Sequence, residues 1–139
     1  MHNRCIELSN VIIIGKGNAF GRTIKLDTLS FLGDVDRESG KIIAQDLKAK
    51  GKSLANTILI VKRFRGSTVG VYVLYSLCKK GLAPKAILMV DPDPVVVTGM
   101  ILCNIIGVAK LPEDVYNAVA DDVDTEVECH NGTAKLCFQ

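Results

Sequence analysis

The most constraining feature of this chain is one continuous run from residue 57 to residue 90. "TILIVKRF" is an apolar stretch rich in β-branched residues, and "STVGVYVLYSLCKK" has helical spacing. "PKAILMV" is apolar again. Strand, helix and strand in that order make a βαβ unit, whose two strands must lie parallel and whose crossover must be right-handed. Ser67 or Thr68 is the expected N-cap. Lys79 and Lys80 suit the negative end of the helix dipole, and Gly81 the left-handed position after it.

The flanking segments extend this unit into a strand-rich α/β domain. Four β-branched residues, Val11 to Ile14, predict a buried strand bounded by Gly15. "RTIKLD" alternates as a half-exposed strand does, and residues 30–42, "SFLGDVDRESGKI", read as a loop around isolated Phe31 and Val35. Pro94 to Asn104 forms a second helix with Pro94 in its first turn. "IIGVAKL" is a short strand. Two alternating runs around Asn131-Gly132 predict a C-terminal hairpin. Residues 1–139 are read as a single domain with two convincing helices. Tyr72 and Tyr75, three apart on the first helix, are placed in the core. The acids between Glu113 and Glu126 are read as a solvated face.

Composition narrows the function classes. The chain is 48% apolar and 23% charged, which fits a packed domain, and its net charge of +2 gives no electrostatic footprint for nucleic acid. The apolar region Val95 to Ala109 is interrupted by Thr98, Gly99, Asn104 and Gly107, short of the roughly 18 apolar residues of a spanning helix. The N-terminus lacks the apolar core of a secretory signal. The expectation is a cytoplasmic protein that binds neither nucleic acid nor membrane. Five cysteines stand at irregular spacing with no Cys-x-x-Cys pair. They predict buried small apolar residues in a reducing compartment rather than a disulfide scaffold or a zinc site.

Two glycine loops compete as sites. Gly15, Gly17 and Gly21 follow a strand, but strand alternation rather than a helix comes next, so a tight turn between strands is the better reading. Arg65-Gly66-Ser67-Thr68 does sit between a strand and a helix. There, unpaired N–H groups attract phosphate or carboxylate, and Lys62, Arg63 and Arg65 would add to the attraction. The plain alternative is that Ser67 caps the helix and the cations are solvated.

A resemblance adds to this reading. "GSTVGVYVLYSL…GLAPKAI" resembles the signature of the small-subunit, or swivelling-domain, part of the aconitase X family. "SFLGDVDRESGKI" resembles that family's other hallmark, and "GKSLANTILIV" fits the segment between. Asp34 stands where the family usually has the second glycine of Gly-Gly-Val-Asp, Leu32 replaces a common Trp, and Val71 replaces a common Ser. The resemblance implies a swivelling β/β/α fold and a hydro-lyase small subunit paired with a large catalytic subunit. The [4Fe-4S] cluster would be held by cysteines of that partner and none by this chain. Archaeal two-subunit members dehydrate the phosphorylated hydroxy acid (R)-5-phosphomevalonate to trans-anhydromevalonate 5-phosphate, and related members dehydrate cis-3-hydroxy-L-proline. The family's catalytic serine, a proton acceptor, falls on Ser67. Arg65, Gly66, Thr68, Ser30 and Asp36 are the substrate-binding candidates. A non-catalytic phosphate- or carboxylate-binding module and a structural subunit are the rival readings.

Overall fold

The computed structural model describes residues 4–66 and 68–139. Among the described residues, eight strands are joined in the order β1-β8-β7-β3-β4-β5-β6-β2. The strands are β1 (Arg4–Leu8), β2 (Ile12–Ile14), β3 (Gly17–Leu29), β4 (Ile58–Phe64), β5 (Ala86–Met89), β6 (Ile106–Ala109), β7 (Asp124–His130) and β8 (Thr133–Phe138). The helices among the described residues are α1 (Phe31–Asp34), α2 (Gly70–Lys79), α3 (Pro94–Cys103) and α4 (Glu113–Ala118).

The long strand β3 joins two sheets. Gly17 to Arg22 pair antiparallel with β7, while Thr23 to Leu29 run parallel to β4. Strands β4, β5 and β6 continue the parallel set, so the expected βαβ crossover is present as β4-α2-β5. Their side chains alternate between two cores. Leu59, Val61, Ile87 and Met89 face Leu74, Leu77, Val96 and Met100 of α2 and α3. Ile58, Ile60, Leu88 and Val108 share the other core with Val127, Leu136 and Phe138 of the antiparallel strands. Near-continuous apolar runs are what strands buried on both faces require. The layers are β/β/α, as expected for a swivelling domain.

The hairpin forms between β7 and β8, with Asn131 and Gly132 at φ 46° and 80°, the left-handed pair that a two-residue turn needs. Helix α3 begins at Pro94 as expected. Its first two free N–H groups, on Val95 and Val96, donate to Asp93, and its C-cap is left-handed Asn104. Of the glycine-rich segment after Ile14, only Gly15 and Lys16 form the turn between β2 and β3; Gly17 and Gly21 lie within β3, paired with β7.

Several expectations are corrected. Only Ile14 of β2 is buried and Ile12 is exposed, because β2 is an edge strand paired on one side to β6. Residues 31–34 form a helical turn, with Phe31, Asp34 and Val35 buried. The acidic stretch contains α4, whose Val115 and Tyr116 are buried. The Tyr116 hydroxyl donates to the Leu26 carbonyl at 2.9 Å. Tyr72 and Tyr75 are not core residues: the buried face of α2 is Val73, Leu74 and Leu77, and the tyrosines point outward at 68% and 40% exposure. Helix α2 starts at Gly70 with Val69 at its N-cap, not at Thr68. Ser67, the other expected cap, lies outside the described residues.

The cysteines differ most from expectation. Cys5–Cys137 and Cys78–Cys103 are disulfides, and only Cys129 is a free, buried thiol. Cys5 and Cys137 are direct cross-strand partners of β1 and β8. Cys78 and Cys103 bring the C-terminal turns of α2 and α3 to a Cα separation of 6.1 Å, within bridging reach. Pairing set by sheet register and helix packing leaves no spacing signature in the sequence.

Candidate functional site

Loops at the carboxyl ends of parallel strands are where α/β sheets build sites, because successive crossovers diverge there and leave a crevice. Three such loops converge in this chain. Strands β3 and β4 end side by side, with Leu29 paired to Phe64, so Ser30 and Arg65 leave the sheet as neighbours. The Arg65 N–H donates to the Leu29 carbonyl at 2.8 Å. Phe31 stacks on Phe64 at a centroid distance of 5.5 Å, closing the floor beneath both loops. The third loop, after β5, brings Asp93, Val95 and Val96 to the same cavity.

The segment that begins at Ser30 and the loop that begins at Arg65 approach each other closely. Gly66 lies at φ 143°, and a Cβ placed on it would sit 3.2 Å from the Ser30 Oγ. Only glycine suits both that backbone angle and that approach. Ser30 is the N-cap of α1, its Oγ accepting from the Gly33 N–H at 3.4 Å. Asp34 reaches back to the same cap: its Oδ2 accepts the Ser30 N–H at 2.8 Å and the Arg65 Nη2–H at 3.2 Å. The charge that departs from the family pattern is thus neutralised within the site.

The cations around the loop are less available than the sequence implies. Lys62 is paired with Glu113 at 2.7 Å, which raises its pKa, chiefly through that hydrogen bond. Arg63 pairs with Asp91 at 3.0 Å. Arg65 keeps 53% of its side chain exposed while one corner is held by Asp34. Of the other candidates, Ser30, Arg65 and Gly66 line the cavity, and Thr68 is exposed beside it, lining a second hollow with Val71, Val95 and Thr98. Asp36 does not line it. Its carboxylate accepts the Ser39 hydroxyl at 2.6 Å and the Glu38 N–H at 3.2 Å, and these bonds, the Ser39 one foremost, lower its pKa. Sequence reading missed Asp93 and Phe64. Asp-Pro ahead of an apolar helix was the available signal for the first.

The cavity itself measures about 30 Å³, against the roughly 300–1,000 Å³ of a ligand pocket. It cannot enclose a substrate within this chain. A larger cleft of about 350 Å³ opens at the opposite end of the sheet beside Lys16, Asn56 and Lys85, all exposed, and contains none of the candidate residues. Among the described residues no three His, Cys, Asp or Glu side chains are grouped to hold a metal ion. Nor is any of these helices long and apolar enough to cross a membrane.

The model of the aconitase X swivel domain matches residues 8–136. The chain belongs to that family. It is 33% identical over 125 residues to the phosphomevalonate dehydratase small subunit of Methanothermobacter thermautotrophicus, covering 89% of this chain and 95% of that protein. With the phosphomevalonate dehydratase small subunit of Aeropyrum pernix it shares 41% identity over 109 residues, 78% of this chain and 77% of the relative. The crystal structure of Thermococcus kodakaraensis aconitase X in its holo-form superposes with a TM-score of 0.79 at 32% identity, covering 91% of this chain and 97% of that one. For an aconitase X swivel domain the β/β/α layering is the architecture that the resemblance implied.

Proposed function

We propose that this chain is the small subunit of an iron–sulfur-dependent hydro-lyase that dehydrates (R)-5-phosphomevalonate to trans-anhydromevalonate 5-phosphate. The observation that carries the reading is the close approach of Gly66 to Ser30, which brings together the two family-type loops at the carboxyl ends of adjacent parallel strands. The relatives' names supply the reaction. A cavity of about 30 Å³ supports a second subunit that would complete the walls around the substrate.

Dehydration next to a carboxylate requires a base for the carbon-bound proton and a Lewis acid for the departing hydroxyl. Ser67 is the base in this reading. It sits between Gly66, which admits close approach, and Thr68, and the half-exposed Arg65 guanidinium lies near enough in sequence to favour an alkoxide or hold an anionic substrate group. The chain's own cysteines do not fit a cluster: four are paired with each other and Cys129 is buried against the Gly107 carbonyl. This supports a cluster held by the large subunit, where the iron would supply the Lewis acid. That subunit also has a surface to cover. Tyr72, Tyr75, Ile101 and Leu102 form an exposed apolar strip on α2 and α3, continuous with the Thr68–Val71–Thr98 hollow beside the site.

Co-expression with the large subunit tests the assignment. Ser67→Ala should abolish turnover of phosphomevalonate while the complex still forms; near-normal turnover removes Ser67 from the mechanism. A second reading, a related hydro-lyase acting on an unphosphorylated substrate such as cis-3-hydroxy-L-proline, is favoured by the pairing of Lys62, Arg63 and Arg65 with carboxylates. Assaying both substrates on the same complex separates the two.

A further inference from the structure

Among the described residues, Asp34 is the one acidic residue that is buried, at 8% exposure. A buried charge persists only when it is paired and hydrogen-bonded. Both of its recorded bonds converge on a single oxygen, Oδ2, which accepts the Ser30 N–H at 2.8 Å and the Arg65 Nη2–H at 3.2 Å. One atom thereby ties the loop after β3 to the loop after β4. Arg65 has five N–H donors and a long, rotamer-rich stem. With 53% of its side chain exposed, it would sample many rotamers unless something held one end of the fork.

We infer that Asp34 is a positioning residue that fixes the Arg65 guanidinium over Gly66 and Ser30, so that the remaining donors face an anionic group of the substrate. The inference rests on the proposed role of Arg65 in binding such a group. Removing the tether should leave the chemistry intact and weaken binding. In the complex with its large subunit, Asp34→Ala should raise KM about tenfold, the scale of one released side chain, with kcat within about twofold. Asp34→Asn should restore most of the loss, because the amide oxygen can stand at the Oδ2 position and accept both bonds. In an Arg65→Ala background, Asp34→Ala should have no further effect on kcat/KM.

An unchanged kcat/KM in Asp34→Ala, or a full additional loss in the Arg65→Ala background, would overturn the inference. The second outcome would mean that Asp34 acts on the fold of α1 and not through Arg65. Should the native complex fail to dehydrate phosphomevalonate, the functional proposal falls by itself. Side-chain ¹⁵N relaxation of Arg65 in the full chain then decides: a guanidinium ordered in the native and Asp34→Asn proteins and mobile in Asp34→Ala supports the tether. Equal mobility in all three refutes it.

Discussion

Gly66 is held at φ 143°, and a Cβ there would meet the Ser30 Oγ at 3.2 Å, a tight approach. A methyl group there has two costs: an unfavourable backbone region and a contact that pushes the two site loops apart. Gly66→Ala should lower stability by about 1–3 kcal/mol and reduce turnover of the complex by a larger factor than the unfolded fraction accounts for. Denaturant titration alongside steady-state kinetics checks both parts. If activity tracks the folded fraction, the close approach has no part in the site. The importance of small residues between Arg65 and Thr68 was visible in the sequence, since a strand running into Gly-Ser-Thr and then a helix is a known anion-binding arrangement. The helix, however, begins at Gly70, three residues beyond Ser67, and each flanking cation has a carboxylate partner from a distant segment. No local pattern could have announced those pairs.

At the scale of elements, the turn from Asp36 to Lys41 shows how a polar loop keeps one shape. Asp36 accepts from Ser39 and Glu38, and the Lys80 ammonium at the end of α2 donates to the Arg37 carbonyl and the Glu38 carboxylate, both at 3.1 Å. These bonds lower the Asp36 pKa in the folded protein, so their stabilising effect is present above the ordinary carboxylate range. It is lost as pH falls through the lowered value. The amide resonances of Glu38 and Ser39 should titrate below that ordinary range, and Asp36→Asn should remove the titration; pH-independent resonances in the native protein would refute the account. The elements most legible in the sequence were those specified by local chemistry. They are β4-α2-β5, the Pro94-led α3 with its left-handed Asn104, and the Asn131-Gly132 hairpin. Strand β1 and helix α4 were not legible. The first earns its place only by pairing with β8 at the other end of the chain, and the second by burying Tyr116 beneath β3.

For the whole molecule, the striped outer surface of α2 and α3 is the main consequence of the architecture. A helix that is apolar all round belongs in an interior, yet α3 buries Val96, Gly99 and Met100 and leaves Ile101 and Leu102 exposed at 63% and 60%. With Tyr72 and Tyr75 beside them, these residues form the face assigned above to the large subunit. Leu102→Asp should weaken assembly of the complex by at least about tenfold, since burying an unpaired carboxylate costs several kcal/mol. It should leave the thermal stability of the small subunit alone unchanged. Size-exclusion chromatography with calorimetric titration reads the first effect, and a thermal melt the second. Full-strength assembly by the variant would move the interface elsewhere.

The order of apolar runs, glycines and capping residues was enough to fix the parallel crossover, the closing hairpin and the junction where the candidate site lies, because each depends on backbone preferences within a few residues. The faces of α2, the pairing of four cysteines, the neutralisation of Asp34 and the close approach of Ser30 to Gly66 depended on the tertiary structure. These are meetings between segments 25 to 132 residues apart, created by strand register and helix packing, and nothing in the local sequence specifies which partner arrives.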